Sequence, residues 1–451
     1  MKKLILLTVV IMNICVFSQE NIYTLSNAID DAIRNNLDYS VATYSITEKQ
    51  KDIESAMKQL SPSIDTSLVY NRTDEPGAAA FSKIAQGGFN NTYMTQMANP
   101  DEVENNLFEA SINIPIFMGG TVRNSIKYYS EIKKSKEYDV ERYKENLIFD
   151  VFRTYHSIIM AHAVTVLARQ SVESASEHVK QTKNMLEAGI VMNSDLLKTQ
   201  VFLHKQEQFL INAENNLKIA KMNLGYLTGN YTKNDFEIDK SISILECEHV
   251  DIEYLINSAL KNRKELMSIQ QNIKALSYYK RSVEGKNKPM VYGFSKYSQN
   301  SEDIFEDEGK GNTSGIMFEY KLVDFGKTKK ESEKIDINIK KLKKMKEALK
   351  QKIILEVNTD LLNMEAASKS IQVAISSVEK AKEMQRVVVD QYNQGLTTIV
   401  NLTDTETAYK EANMNYIKSV YEFNVAREKL KLSASILNCD SLNNNKDLGG
   451  K

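Results

Sequence analysis

The sequence predicts an α+β membrane protein built from internally duplicated long helical hairpins, with four β-strands between helices. Three observations predict it. A glycine turn between long helical patterns occurs twice, as Leu186-Glu187-Ala188-Gly189-Ile190 and as Tyr392-Asn393-Gln394-Gly395-Leu396, 206 residues apart. The tracts 121–188 and 327–394 contain neither Gly nor Pro, and about 68 helical residues span roughly 100 Å at 1.5 Å per residue. Short segments with apolar–polar alternation precede each tract.

The chain opens with Met1-Lys2-Lys3 and an apolar run from Leu4 to Phe17, followed by a small-residue cleavage site at Val16-Phe17-Ser18. This reads as a signal peptide over 1–18, since about fourteen apolar residues are too few to span a bilayer. Met12-Asn13-Ile14-Cys15 lacks the small residue that precedes a lipidated Cys. No other unbroken apolar span occurs, so no transmembrane helix is expected. Basic and acidic residues number 58 and 59, which leaves no cationic excess for a nucleic-acid partner. Cys247 and Cys439 remain in the mature chain, at the ends of the two repeats. One disulfide and two free thiols fit equally.

Taken in order, Thr24 to Leu60 has a helical period, with Leu25, Ala28, Ile29, Ala32 and Ile33 on one face. Its counterpart is Asp251 to Glu284, since Ala32-Ile33-Arg34-Asn35 matches Ala259-Leu260-Lys261-Asn262 and Pro62 matches Pro289 at a shift of 227. Proline costs about 3 kcal/mol inside a helix, so each closes its helix and opens an extended segment. Ile64, Thr66, Leu68 and Tyr70 then alternate with polar residues, as do Phe108, Ala110, Ile112, Ile114 and Ile116. In the second repeat Ile316, Phe318, Tyr320 and Leu322 alternate likewise, and Met290, Tyr292 and Phe294 form a weaker strand of unsettled phase. Such strands suit a barrel wall between lipid and water, although a soluble antiparallel sheet alternates in the same way. The signal peptide and the lack of core elements favour the barrel. The loops 71–106 and 298–313 read as solvated surface.

Glycines mark each strand-to-helix junction: Gly119 and Gly120 in the first repeat, Gly326 in the second. The second long helix carries a seam at Ile354, Val357, Leu361, Met364, Ile371, Ile375 and Val378. At each tip the turn glycine ends one helix, and Thr397 or Thr398 caps the next. The returning helices, Ser194–Leu227 and Val400–Leu437, are half as long. Two half-length helices stacked end to end therefore match one long helix. The domains are a first repeat over 19–229, an inter-repeat segment over 230–250, a second repeat over 251–438 and a tail over 439–451.

Other signals carry little. His156, His162, His178, His204 and His249 form no ligand cluster, so no metal is expected, and neither a nucleophile elbow nor a nucleotide fingerprint calls for a cofactor. The lysine run from Lys340 to Lys346 reads as a solvated face, with contact to lipid head groups or peptidoglycan as the minor alternative. Tyr128, Tyr129, Tyr278 and Tyr279 suit either an interfacial belt or core packing.

Gly395-Leu396-Thr397-Thr398-Ile399-Val400-Asn401-Leu402, the paired Gly189 turn and the junctions at Gly120 and Gly326 together resemble the outer-membrane efflux (TolC) family over nearly all of the mature chain. The resemblance implies a homotrimer in the outer membrane. Each protomer would give four strands to a twelve-stranded barrel and its helices to a periplasmic α-barrel, opened by an inner-membrane transporter and a periplasmic adaptor protein. It also implies a gate at the tips. Tyr392 stands where the family has a tyrosine, and Ser194 and Asp195 where it has a hydroxyl and an aspartate, so an Asp195–Tyr392 hydrogen bond is expected. Thr397 replaces the family's arginine, and Asn401 replaces the first of two acidic residues. Asp404 keeps the second, implying one ring of three carboxylates. The expected function is the exit duct of a tripartite efflux pump for small molecules, drugs or metals. The alternatives are a type I protein-secretion duct and, from another class, a secreted structural coiled-coil protein; an enzyme is a remote third.

Overall fold

The computed structural model describes residues 22–88, 100–230, 236–239, 243–245, 251–304, 306 and 309–437. The expected signal peptide, Cys247, Cys439 and His249 lie outside them. Nine helices and four strands run α1 (Leu25–Asn35), α2 (Leu37–Lys58), β1 (Ser63–Thr73), α3 (Pro76–Ala85), β2 (Val103–Met118), α4 (Thr121–Glu187), α5 (Asn193–Leu227), α6 (Ile252–Asn262), α7 (Lys264–Gly285), β3 (Met290–Ser301), β4 (Lys310–Glu319), α8 (Lys327–Asn393) and α9 (Ile399–Ser433) among the described residues. The duplication is close: α4 and α8 have 67 residues each, and α5 and α9 have 35 each. Every left-handed residue of the first hairpin (Gly119, Gly120, Gly189, Gly229) has a left-handed counterpart 206 residues on (Phe325, Gly326, Gly395, Ser435).

The chain packs as two units. One comprises residues 41–142 and 262–352 and contains the sheet. Its strands are antiparallel in the order β1-β2-β3-β4. Register puts Ile64 opposite Ile112, Ile114 opposite Gly293, and Gly293 opposite Ile316, so these side chains share one face. That face covers no core: Ile64 is 73% exposed, Ile316 74% and Phe318 66%. The other face carries Asp65, Ser111, Asn113 and an ion pair between Lys296 and Glu109. β3 breaks the expected pattern. Met290, Tyr292 and Phe294 lie on the polar-side face, where the Phe294 ring covers Gly315. Phe294 and Tyr292 pair with Asn113 and Pro115 ahead of a register shift, beyond which Val291 and Met290 meet Phe117 and Met118. β2 and β3 extend beyond the alternating segments, and α3 occupies part of what the sequence presents as loop. Gln86 joins α3 to β2 by donating to Glu104 O (2.7 Å) and Asn105 Oδ1 (3.1 Å). β4 stops at Glu319, short of the expected Leu322.

In the same unit α7 lies on α4. Ser282 Oγ meets Ser125 Oγ at 2.8 Å, Ser268 Oγ meets Ser135 Oγ at 2.9 Å, and Tyr279 packs on Tyr128 with ring centroids 5.3 Å apart. α7 also meets α8, where Lys280 pairs with Asp336 at 2.7 Å and Ser332 donates to Glu284 at 3.0 Å. The junction into α8 is organised by Asp324. It accepts from Asn287 Nδ2 and from the amides of Gly326 and Thr328, and these bonds, together with the Thr328 side chain, hold its carboxyl well below the usual range.

The other unit comprises the described residues within 1–40, 143–261 and 353–451. Its largest described core joins Ala28, Ile29 and Ala32 of α1 to Leu147, Val151, Tyr155 and Ile158 of α4 and Leu224 of α5. In α8, Val357, Met364 and Ile371 are buried as the seam requires. Ile353, Asp360 and Ala374 take the buried places expected of Ile354, Leu361 and Ile375, so one line of the seam lies one residue earlier while both lines keep a seven-residue repeat. His156 is half-buried, with both ring nitrogens shielded from solvent. Its ring packs on Phe152 at 4.1 Å, both ring nitrogens lack a hydrogen-bond partner, and burial pushes its pKa down to about 4.

The helices expected over Thr24–Leu60 and Asp251–Glu284 are each broken in two, at Asn36 and at Arg263. Both residues are extended, with ψ near 121°, and they stand 227 residues apart. Asn36 uses both ends of its amide: Oδ1 accepts from Tyr39 N (2.8 Å) at the start of α2, and Nδ2 donates to Leu227 O (3.0 Å) at the end of α5. Arg263 instead grips Glu265 through Nε (3.2 Å) and a terminal nitrogen (2.9 Å). α9 also ends sooner than expected. Ser435 adopts φ 55° and sends its amide to Leu432 O, closing the helix without glycine.

Candidate gate at the helical tips

Both tips are backbone-closed in the same way. Gly189 N donates to Leu186 O and Ile190 N to Met185 O, each at 2.9 Å; Gly395 N donates to Tyr392 O (3.0 Å) and Leu396 N to Gln391 O (2.9 Å). This pairing satisfies the last helical carbonyls and requires a left-handed residue, supplied by φ values of 74° and 72°. Thr398, not Thr397, caps α9, its hydroxyl accepting from Asn401 N.

Behind the Gly395 turn, Tyr392 and Val388 of α8 pack with Ile399 and Leu402 of α9, and Met185 of α4 adds to the cluster. Tyr392 is 2% exposed, so its hydroxyl needs a partner inside. The partner is Thr182 Oγ1 of α4 at 2.8 Å, not Asp195. Thr182 donates to His178 O at 2.8 Å, which leaves Tyr392 as donor in the shared bond. Thr199 of α5 lies 3.3 Å from the same oxygen and donates to Asp195 O at 2.7 Å. The Asp195 carboxylate turns elsewhere, accepting from Met192 N (3.4 Å) and pairing with Lys198 at 3.1 Å. The expected Asp195–Tyr392 bond is therefore replaced within the protomer. An aspartate in the first turn of a helix is drawn to its own exposed amides, while Thr182 already sits in the interior.

A second rung lies one turn along α4. His178 Nε2 approaches Glu406 Oε1 of α9 at 3.0 Å, with both side chains under a tenth exposed. Gln385 of α8 donates to the other Glu406 oxygen at 3.0 Å. A third rung joins α9 to α5, where Lys410 Nζ donates to Gln206 Oε1 at 3.0 Å and sits 5.0 Å from the Phe209 ring centre. Burial pushes the Lys410 ammonium pKa down. Sequence reasoning set His178 aside and missed Glu406, Thr182 and Lys410. The available signal was Ser174, His178 and Thr182, polar residues at four-residue steps along one stripe of α4.

The remaining predicted residues stay at the surface. Asp404, Asn401 and Ser194 are exposed and Thr397 is partly exposed. Asn401 Nδ2 donates to Thr397 Oγ1 at 2.9 Å. Among the described residues no salt bridge engages Asp404, and no group of three or more His, Cys, Asp or Glu side chains is placed to hold a metal. The arrangement can hold two hairpins together through side chains and can present carboxylates to solvent.

Comparison with known proteins agrees with this architecture. No curated protein matches the chain. Among solved structures, CusC is 13% identical with a TM-score of 0.75, the match covering 92% of each chain. The CmeC outer membrane channel of Campylobacter jejuni is 15% identical with a TM-score of 0.74, covering 92% of this chain and 88% of that one. The open state of the MtrE outer membrane channel of Neisseria gonorrhoeae is 14% identical with a TM-score of 0.70, covering 91% and 89%. A family model for outer membrane efflux proteins matches residues 28–230 and 255–434, one segment in each repeat. The chain belongs to the outer membrane efflux protein family.

Proposed function

We propose that three copies of this chain form the exit duct of a tripartite efflux pump. The observation that carries the reading is the sheet. Its β1 and β4 edges have no strand beside them among the described residues, and its apolar face covers no core. An open edge and a bare apolar face are both costly in water. Three copies placed edge to edge make a closed wall of twelve strands with the Ile64, Ile112 and Ile316 rows toward lipid. A periplasmic adaptor protein and an inner-membrane transporter would engage the helical tips, and small molecules, drugs or metal ions would be the cargo. The duct lets cargo pass and changes no bond in it. Asp404 from three copies would line the constriction as a carboxylate ring that favours cations.

The test is fractionation of cells expressing the full chain, followed by electrophoresis with and without heating and by conductance in planar bilayers. A heat-modifiable trimer in the outer-membrane fraction that conducts ions is expected. A soluble elongated monomer would overturn the proposal.

A further inference from the structure

The two halves of the sheet carry opposite chemistry on its polar-side face. The pair β3–β4 repeats the pair β1–β2, and the two ladders superpose at shifts of 227 and 206 residues. Met290 opposite Glu319, Tyr292 opposite Met317 and Phe294 opposite Gly315 fall on Ser63 opposite Asn113, Asp65 opposite Ser111 and Ser67 opposite Glu109. Where the first repeat is polar at every place, the second has two thioethers and two aromatic rings. A water-filled barrel needs only polar side chains on its inner wall. The apolar residues are also contiguous. Pro115 stands opposite Tyr292 and Met118 opposite Met290, which extends the patch onto β2. It measures about 13 Å along β3 and about 10 Å across from β2 to β4, at ordinary strand spacings. Met317 is 49% exposed, and Met290, Tyr292 and Phe294 are partly exposed.

We propose that this patch is a binding site on the duct wall for lipophilic cations, molecules with an aromatic or alkyl body and one positive charge. The proposal rests on the trimeric reading above, which turns the polar-side face toward the lumen. Two aromatic rings and two thioethers give the body a soft, polarisable surface. The Phe294 ring lies over Gly315, where an added Cβ would stand 3.0 Å from its Cζ. Shielding a strand glycine accounts for Phe294, but no glycine calls for Tyr292, Met290 or Met317. The Tyr292 hydroxyl donates to Met290 Sδ at 3.2 Å, so the two side chains form one surface. The charge nearby selects cations. Glu319 is exposed directly opposite Met290 and two residues from Met317, and Asp65 is exposed on β1. Lys296, two residues above Phe294, is neutralised by its pair with Glu109. Lys288 and Lys321 lie beyond the strand ends. A positive charge at the Glu319 end of the patch would leave the attached body over the Tyr292 and Phe294 rings.

The test is single-channel current in planar bilayers, with tetraphenylphosphonium added on the side of the strands. It should lower the current at a concentration at least tenfold below that needed for tetramethylammonium, which has the charge without the body. Tetraphenylborate, the same body with the opposite charge, should be weaker as well. Tyr292→Ser combined with Met317→Ser should raise the half-effective concentration of tetraphenylphosphonium roughly tenfold. The first repeat already folds with polar residues at both places, Asp65 and Ser111, so the variant should still assemble and conduct. Glu319→Gln should narrow the gap between tetraphenylphosphonium and tetraphenylborate. A conducting channel on which tetraphenylphosphonium and tetramethylammonium act alike would overturn the site and leave the duct standing. So would a double variant that responds as the parent does, or a Glu319→Gln channel whose gap is unchanged. A chain that forms no conducting trimer would overturn both.

Discussion

His178 Nε2 and Glu406 Oε1 meet at 3.0 Å inside the tip of the protein, joining α4 of the first hairpin to α9 of the second. Ser174 Oγ stands 3.3 Å from the same imidazole nitrogen, and Gln385 holds the second carboxylate oxygen. Removing one member of a buried pair leaves the other without compensation, at a cost of about 3–5 kcal/mol, whereas replacing both with apolar groups is often close to neutral. Glu406→Ala should therefore lower stability by about that amount, and His178→Phe with Glu406→Leu should recover most of it. Urea unfolding of the purified protein reads both. Equal losses in the single and double variants would deny the coupling.

Tyr392→Phe removes the hydroxyl that donates to Thr182 and leaves the ring in its cluster. A buried hydrogen bond of this kind contributes about 1 kcal/mol, so a small fall in melting temperature is expected, together with more frequent opening in bilayer recordings. Asp195→Ala should not reproduce the opening effect, since its carboxylate serves Met192 N and Lys198.

The glycines at the junction and at the tip should differ sharply in tolerance. At Gly119 a Cβ would stand 2.3 Å from Gly285 O, a backbone atom that can only move with its helix. At Gly395 the nearest heavy atom to a Cβ is Ile190 Cγ2, at 3.8 Å. Gly395→Ala should cost only the strain of a left-handed alanine, about 1–2 kcal/mol. Gly119→Ala should abolish assembled protein, which immunoblots of the membrane fraction would show.

Asp404→Asn should lower cation preference in planar-bilayer reversal potentials, because three carboxylates about one axis favour cations. Unchanged selectivity would place the constriction elsewhere.

Stability should fall on acidification through His156. Unfolded, its imidazole takes a proton near pH 6.5; folded, it resists protonation down to about 4. Between those values the unfolded chain binds more protons, so the stabilisation present above pH 6.5 is lost as pH falls toward 4. The shift corresponds to about 3 kcal/mol per chain. His156→Leu should remove that part of the pH dependence, measured by urea unfolding between pH 4 and 7.

The large features were legible because they depend on residues with sharp backbone preferences. Gly189 and Gly395 mark the tips, and Pro62 and Pro289 mark where helices stop. The long helices match their expected limits within a residue. Features made by side-chain contact were not legible. Asn36 and Arg263 break their helices without glycine or proline, one by capping α2 and reaching α5, the other by gripping Glu265. The phase of β3 depends on which residues of β2 it meets, Asn113 opposite Phe294, and no alternation within β3 records that pairing. The family pattern points to Tyr392 and pairs it with Asp195; its partner is Thr182, which lies 210 residues away and comes near only when the hairpins pack. Glu406 stayed hidden for the same reason.

The closure of both tips by their own backbone has a mechanical consequence. The amides that close the turns at Gly189 and Gly395 find their acceptors within their own turn, so drawing one hairpin away from the other would strand none of them. Resistance to separating the hairpins then resides in side chains, in the apolar cluster that Met185 joins and in three rungs at Tyr392, His178 and Lys410. These can be released one after another from the end inward, as a zip is undone, while the helices that carry them stay whole.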